Sequence, residues 1–129
     1  MFKTVKKKKI LIVDDEESFT HVVKLNLEAT GSYEVCVENN SLAAIDTARK
    51  FRPDFIFLDI IMTGKEGSEI ANELVGDSVL QSTPYAFLTA TVTPEEVNTF
   101  RGTIGGHSFL AKPVDTQQMI QCIENRTKR

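Results

Sequence analysis

The chain has 129 residues, 41% of them hydrophobic and 26% charged, with a net charge of −3. That length holds one domain with a real core and leaves no room for a second. The mildly acidic balance argues against direct nucleic-acid binding, and no apolar stretch reaches the length needed to span a membrane. Cys36 and Cys122 show neither paired spacing nor a signal peptide, so free thiols in the cytoplasm are expected. His21 and His107 stand apart from any cluster of metal ligands.

In chain order, Lys6-Lys7-Lys8-Lys9 reads as a solvated, solubilising lead-in to the first strand, Ile10-Leu11-Ile12-Val13. Phe19, Val22, Val23 and Leu27 then make one helical stripe, which Gly31 can stop. Tyr33-Glu34-Val35-Cys36-Val37-Glu38 alternates and suits a half-exposed edge strand, and Leu42, Ile45 and Ala48 predict the second helix. Phe55-Ile56-Phe57-Leu58, Tyr85-Ala86-Phe87-Leu88 and Phe109-Leu110-Ala111 are further short apolar runs. The first two, like Ile10–Val13, are apolar throughout, as strands buried on both faces must be. Ile70 with Leu74, Val97 with Phe100 and Ile104, and Met119 with Ile120 and Ile123 supply three more helices. Thr93-Pro94-Glu95-Glu96 and Asp115-Thr116-Gln117-Gln118 read as helix starts, the second with capping-box spacing. Five βα units predict a parallel sheet covered by helices on both faces, a three-layer α/β sandwich.

Polar residues follow four of these strands directly: Asp14-Asp15, Asp59, Thr89 and Lys112-Pro113. One parallel sheet brings all of them to a single rim. Three carboxylates at close range either raise a pKa or recruit a cation, and an oxygen-only set suits Mg²⁺, which accepts one or two carboxylates and leaves room for phosphate oxygens. A carboxylate beside Mg²⁺ can attack phosphorus to give an acyl phosphate, with the Lys112 ammonium and Thr89 hydroxyl as donors to the phosphoryl oxygens.

The ordered set Lys9-Ile10-Leu11-Ile12-Val13-Asp14-Asp15-Glu16, Phe57-Leu58-Asp59-Ile60-Ile61-Met62, Gly67, Leu88-Thr89-Ala90 and Leu110-Ala111-Lys112-Pro113 resembles the receiver domain of two-component response regulators, including the chemotaxis regulators. The resemblance implies a flavodoxin-like (βα)5 fold with a five-stranded parallel sheet of order 2-1-3-4-5. It implies one receiver domain over residues 1–129, its core about 8–125. It further implies Asp59 as phosphoacceptor and Mg²⁺ held by Asp14, Asp15, Asp59 and the backbone carbonyl of Ile61. Thr89 would be the switch hydroxyl, Phe109 the switch aromatic, and Lys112 the phosphate-binding lysine, joined to Pro113 by a cis bond. The phosphodonor would be the phosphohistidine of a sensor histidine kinase or phosphotransfer protein. The output would be a changed surface for a downstream protein target. Such a domain catalyses only its own phosphorylation and slow dephosphorylation, so it is expected to be a signalling domain and not an enzyme.

One position departs from the family pattern. Pro usually follows the Met three residues beyond the phosphoacceptor, but Thr63-Gly64 follows Met62 here, which predicts a more flexible loop. Two other readings stand beside the first. A pseudo-receiver would bind partners without phosphorylation, although all five site residues are present. A Mg²⁺ phosphohydrolase of the haloacid-dehalogenase type would need a second Asp where Ile61 stands.

Overall fold

The structure is a computed structural model that describes residues 6–90, 103–104 and 107–127. Strands and helices alternate: β1 (Lys8–Val13), α1 (Glu17–Glu28), β2 (Tyr33–Glu38), a 3₁₀ turn (Ser41–Ala43) leading into α2 (Ala44–Phe51), β3 (Phe55–Asp59), α3 (Gly67–Gly76), β4 (Tyr85–Thr89), β5 (Thr103–Ile104), β6 (His107–Ala111) and α4 (Thr116–Arg126).

The sheet runs β2-β1-β3-β4-β6-β5. Its first five members are parallel and reproduce the flavodoxin-like order 2-1-3-4-5, with β6 in the fifth place. The two-residue β5 is an addition: it pairs antiparallel with β6, Ile104 opposite His107. Ile104 therefore sits in an edge strand and not on the helical stripe expected for it, because two residues paired to a neighbouring strand satisfy the backbone without a helix. Val97, Phe100 and the helix start at residues 93–96 lie outside the described residues.

Period-two alternation divides the strands between two cores. Ile10, Ile12, Phe55, Phe57, Ala86 and Leu88 pack with Val23 and Leu27 of α1 and Met119 and Ile123 of α4. Leu11, Val13, Ile56, Leu58 and Phe87 pack with Ala44 and Ala48 of α2 and Ile70, Ala71 and Leu74 of α3. Phe57 is fully buried, and cutting such a ring back to Ala costs about 3–5 kcal/mol.

Three local expectations change. Val22 and Leu42 are 53% and 63% exposed, so the stripe of α1 is completed by Thr20, and α2 buries two alanines instead of its larger neighbour. Lys8 and Lys9 are structural and not a solvated lead-in. Lys8 Nζ reaches Glu124 Oε1 at 2.8 Å and Thr127 Oγ1 at 2.9 Å, while Lys9 Nζ donates to the Phe51 carbonyl at 3.1 Å. They belong to β1 itself, where long stems lie along the sheet and the ammonium groups reach its lower edge. Asp115 caps α4 by accepting from the Gln117 N–H at 2.8 Å.

Candidate functional site

The site is built from strand ends. β1 ends at Val13, β3 at Asp59, β4 at Thr89 and β6 at Ala111, so Asp14, Asp59, Thr89 and Lys112 meet at the carboxyl edge of the sheet. Asp59 pairs with Leu88, which puts Thr89 one step further along the neighbouring strand, and the Lys112 N–H donates to the Thr89 carbonyl at 2.8 Å. Thr89 is buried. The Lys112-Pro113 bond is cis.

Asp14 is fixed on several sides. Its N–H donates to the Glu38 carbonyl, its own carbonyl accepts from Asn39 Nδ2 at 2.8 Å, and its Oδ1 accepts from the Glu16 N–H at 3.0 Å. Its Oδ2 is buried and accepts no well-aligned hydrogen bond, but Lys112 Nζ lies 2.6 Å away. The same ammonium is 3.7 Å from Asp59 Oδ1, 3.7 Å from Glu16 Oε1 and 4.4 Å from the centre of the Phe19 ring. Lys112 is thus held among three carboxylates and an aromatic face. Burial works against its charge, yet Asp14 first, then Asp59 and Glu16, outweigh that and raise its pKa.

Asp59 is pushed the other way. Burial and the charge of Asp14 lift its pKa to about 6, with Lys112 partly offsetting them and Asp15 adding to the rise. One carboxylate oxygen from each of Asp14, Asp15 and Asp59 lies within 4.8 Å of the other two. A buried carboxylate oxygen met by a single ammonium, beside two further carboxylates, is a donor set that a hard, oxygen-preferring dication fits.

The loop after Asp59 is not the loose segment that the Thr63-Gly64 sequence predicts. Thr63 donates its N–H to Asp15 Oδ2 at 3.1 Å and accepts from Ser41 Oγ at 2.7 Å, and the Lys65 N–H donates back to Ser41 Oγ at 2.8 Å. Gly64 turns the chain at φ 96°, and a Cβ there would meet Ser41 Oγ at 2.6 Å. Gly thus permits a tight clamp where Pro would have stiffened the chain by itself. Ile61 carries its side chain into solvent. Phe109 is half-buried against Phe87, ring centres 5.3 Å apart.

Ser41, Phe19 and Glu16 were not singled out as site residues by the sequence. The clamp serine carries no motif, because its role depends on a contact between two distant loops. Phe19 reads as plain core, one residue of the apolar stripe of α1.

Residues 10–124 match the response regulator receiver domain. The nisin biosynthesis regulatory protein NisR of Lactococcus lactis is 35% identical over 94% of this chain, and the chain spans 51% of that protein's length. The polar-differentiation response regulator DivK of Brucella anthropi is 30% identical over 92% of this chain and 94% of its own length. The chemotaxis protein CheY4 of Vibrio cholerae superposes with a TM-score of 0.77 at 28% identity, covering 93% of this chain and 98% of that one. The chain spans about half the length of several curated relatives it matches. With the fold order and the acidic rim in agreement, the chain belongs to the response regulator receiver domain family of two-component signalling.

Proposed function

We propose that Asp59 accepts a phosphoryl group from the phosphohistidine of a sensor histidine kinase or phosphotransfer protein, and that the change is read by a downstream protein target. The observation that carries this reading is the position of Lys112 Nζ, 2.6 Å from Asp14 and 3.7 Å from Asp59 at the rim of the sheet. An Asp59 oxygen attacks phosphorus, the P–N bond breaks as the P–O bond forms, and the electron pair leaves with the imidazole nitrogen. With a pKa of about 6, Asp59 is mostly ionised and nucleophilic at neutral pH. Lys112 exchanges its contact with Asp14 for the new phosphoryl oxygens, and the Thr89 hydroxyl donates to the same group. Mg²⁺ bound by Asp14, Asp15, Asp59 and the Ile61 carbonyl would neutralise phosphoryl charge during transfer. Phe109, on the strand beside Thr89, is the aromatic through which the change reaches the surface near β6.

We take the receiver unit to be the core from about residue 8 to 125, a reading supported by the elements from β1 (Lys8–Val13) to α4 (Thr116–Arg126). Among the described residues no helix is long and apolar enough to cross a membrane. A soluble cytoplasmic location and protein partners, without direct nucleic-acid contact, complete the reading.

Intact-mass measurement after treatment with a small phosphodonor and Mg²⁺ tests the assignment. One added phosphoryl group on wild type and none on Asp59→Ala is expected. Equal labelling of the two proteins refutes it.

A further inference from the structure

We infer that Ser41 is a positioning residue for the acidic cation site, acting through the Thr63 peptide on Asp15; this rests on the Mg²⁺ site proposed above. Asp15 is exposed, and a carboxylate in water turns among several rotamers unless something holds it. The Thr63 N–H holds it, at 3.1 Å. The same residue is fixed from behind, because its carbonyl accepts the Ser41 hydroxyl at 2.7 Å. Ser41 is only 2% exposed although it opens a surface 3₁₀ turn, and its oxygen also accepts the Lys65 N–H at 2.8 Å. Donating and accepting at once, one hydroxyl closes the loop on both sides of Gly64. The Gly64 position has room for no Cβ beside that hydroxyl. The 3₁₀ turn before α2 is thereby wired to a proposed metal ligand, and residues that orient ligands from behind typically govern metal affinity about 10–100-fold.

Calorimetric titration of Mg²⁺ into the full chain tests this. Ser41→Ala is expected to bind Mg²⁺ about tenfold more weakly than wild type, the low end for a residue of this kind, with its melting temperature in chelator lowered by the loss of two hydrogen bonds but its fold retained. Gly64→Ala should lose affinity similarly by pushing the hydroxyl aside. In the double variant the second change should then cost little, since groups sharing one contact are not additive. Wild-type binding with an equal Kd in Ser41→Ala overturns the positioning role and leaves the proposed function standing. Absence of Mg²⁺ binding by wild type overturns both. Should Ser41→Ala not fold, Gly64→Ala and the Lys65 amide of wild type decide. An unchanged Kd in Gly64→Ala, or Lys65 exchange as fast as an open peptide, overturns the inference.

Discussion

Asp59 and Asp77 are equally buried, each 8% exposed, yet their surroundings push them in opposite directions. Asp77, just after α3, receives Arg49 Nη2 at 2.5 Å and Nε at 2.7 Å on one oxygen, and the N–H groups of Val79 and Leu80 at 2.8 and 3.2 Å on the other. That donor set, Arg49 first, lowers its pKa. Asp59 has few donors to offset its burial: burial first, then the charge of Asp14, raise its pKa to about 6, with its cation 3.7 Å away only partly compensating. A carboxylate with its full complement of donors is a fastener. One left short among like charges has an unmet demand for positive charge, which a bound cation can answer.

The largest expected effect comes from removing the shared cation. Lys112→Ala leaves the buried Asp14 and Asp59 uncompensated and should cost about 3–5 kcal/mol in chelator at pH 7, as loss of one partner of a buried pair does. Urea denaturation measures it, and added Mg²⁺ should recover part of the loss. Asp59→Asn should do the opposite. The folded pKa of about 6 lies above the usual carboxylate value, so the folded state favours the protonated acid. That contribution is complete below the unfolded pKa and is lost as pH rises through 6. Without metal at pH 7 the Asn variant should therefore be more stable by about 1–2 kcal/mol, less than the full two pKa units because water and Lys112 screen the charge. The gain should vanish near pH 4; a gain that persists there would mean that charge is not its source.

Asp77→Asn should lower stability at pH 7, with the deficit shrinking as pH falls through the depressed folded pKa, since that pKa is held below the usual range. Labelling at Asp59 should be untouched; reduced labelling would break the division between fastener and reactive group. The smallest change is Arg49→Ala. Two backbone donors to Asp77 remain, so its loss in urea denaturation should fall well short of that of Lys112→Ala. Equal losses would erase the contrast between the two acids.

Much of this was legible in the residues. Runs such as Phe55–Leu58 admit one reading, because only a central strand needs apolar groups on both faces, and the polar residue ending each run marks the rim. The α2 stripe was misread at Leu42 because a 3₁₀ turn precedes the helix and shifts its phase, and periodicity carries no signal for that. The loop at Thr63-Gly64 was misread for a different reason. Local composition reports the freedom of a chain by itself, whereas Ser41, more than twenty residues away in sequence, removes that freedom. Of the lysine run, Lys6 and Lys7 are exposed as expected, whereas Lys8 was mistaken for a solvated end since its partners Glu124 and Thr127 lie at the other end of the chain.

Gly67 opens α3 directly beneath Asp59, and a Cβ there would collide with the Asp59 carbonyl oxygen and crowd Ile60. Its N–H donates to the Ile60 carbonyl at 2.8 Å, which presses the helix start against the end of β3. The backbone of Asp59 therefore has an anvil behind it. Charge and bulk added to its side chain cannot be absorbed by recoil in that direction. Under the proposed phosphorylation, the displacement would be left to the side chains of Thr89 and Phe109 on the adjacent strands β4 and β6.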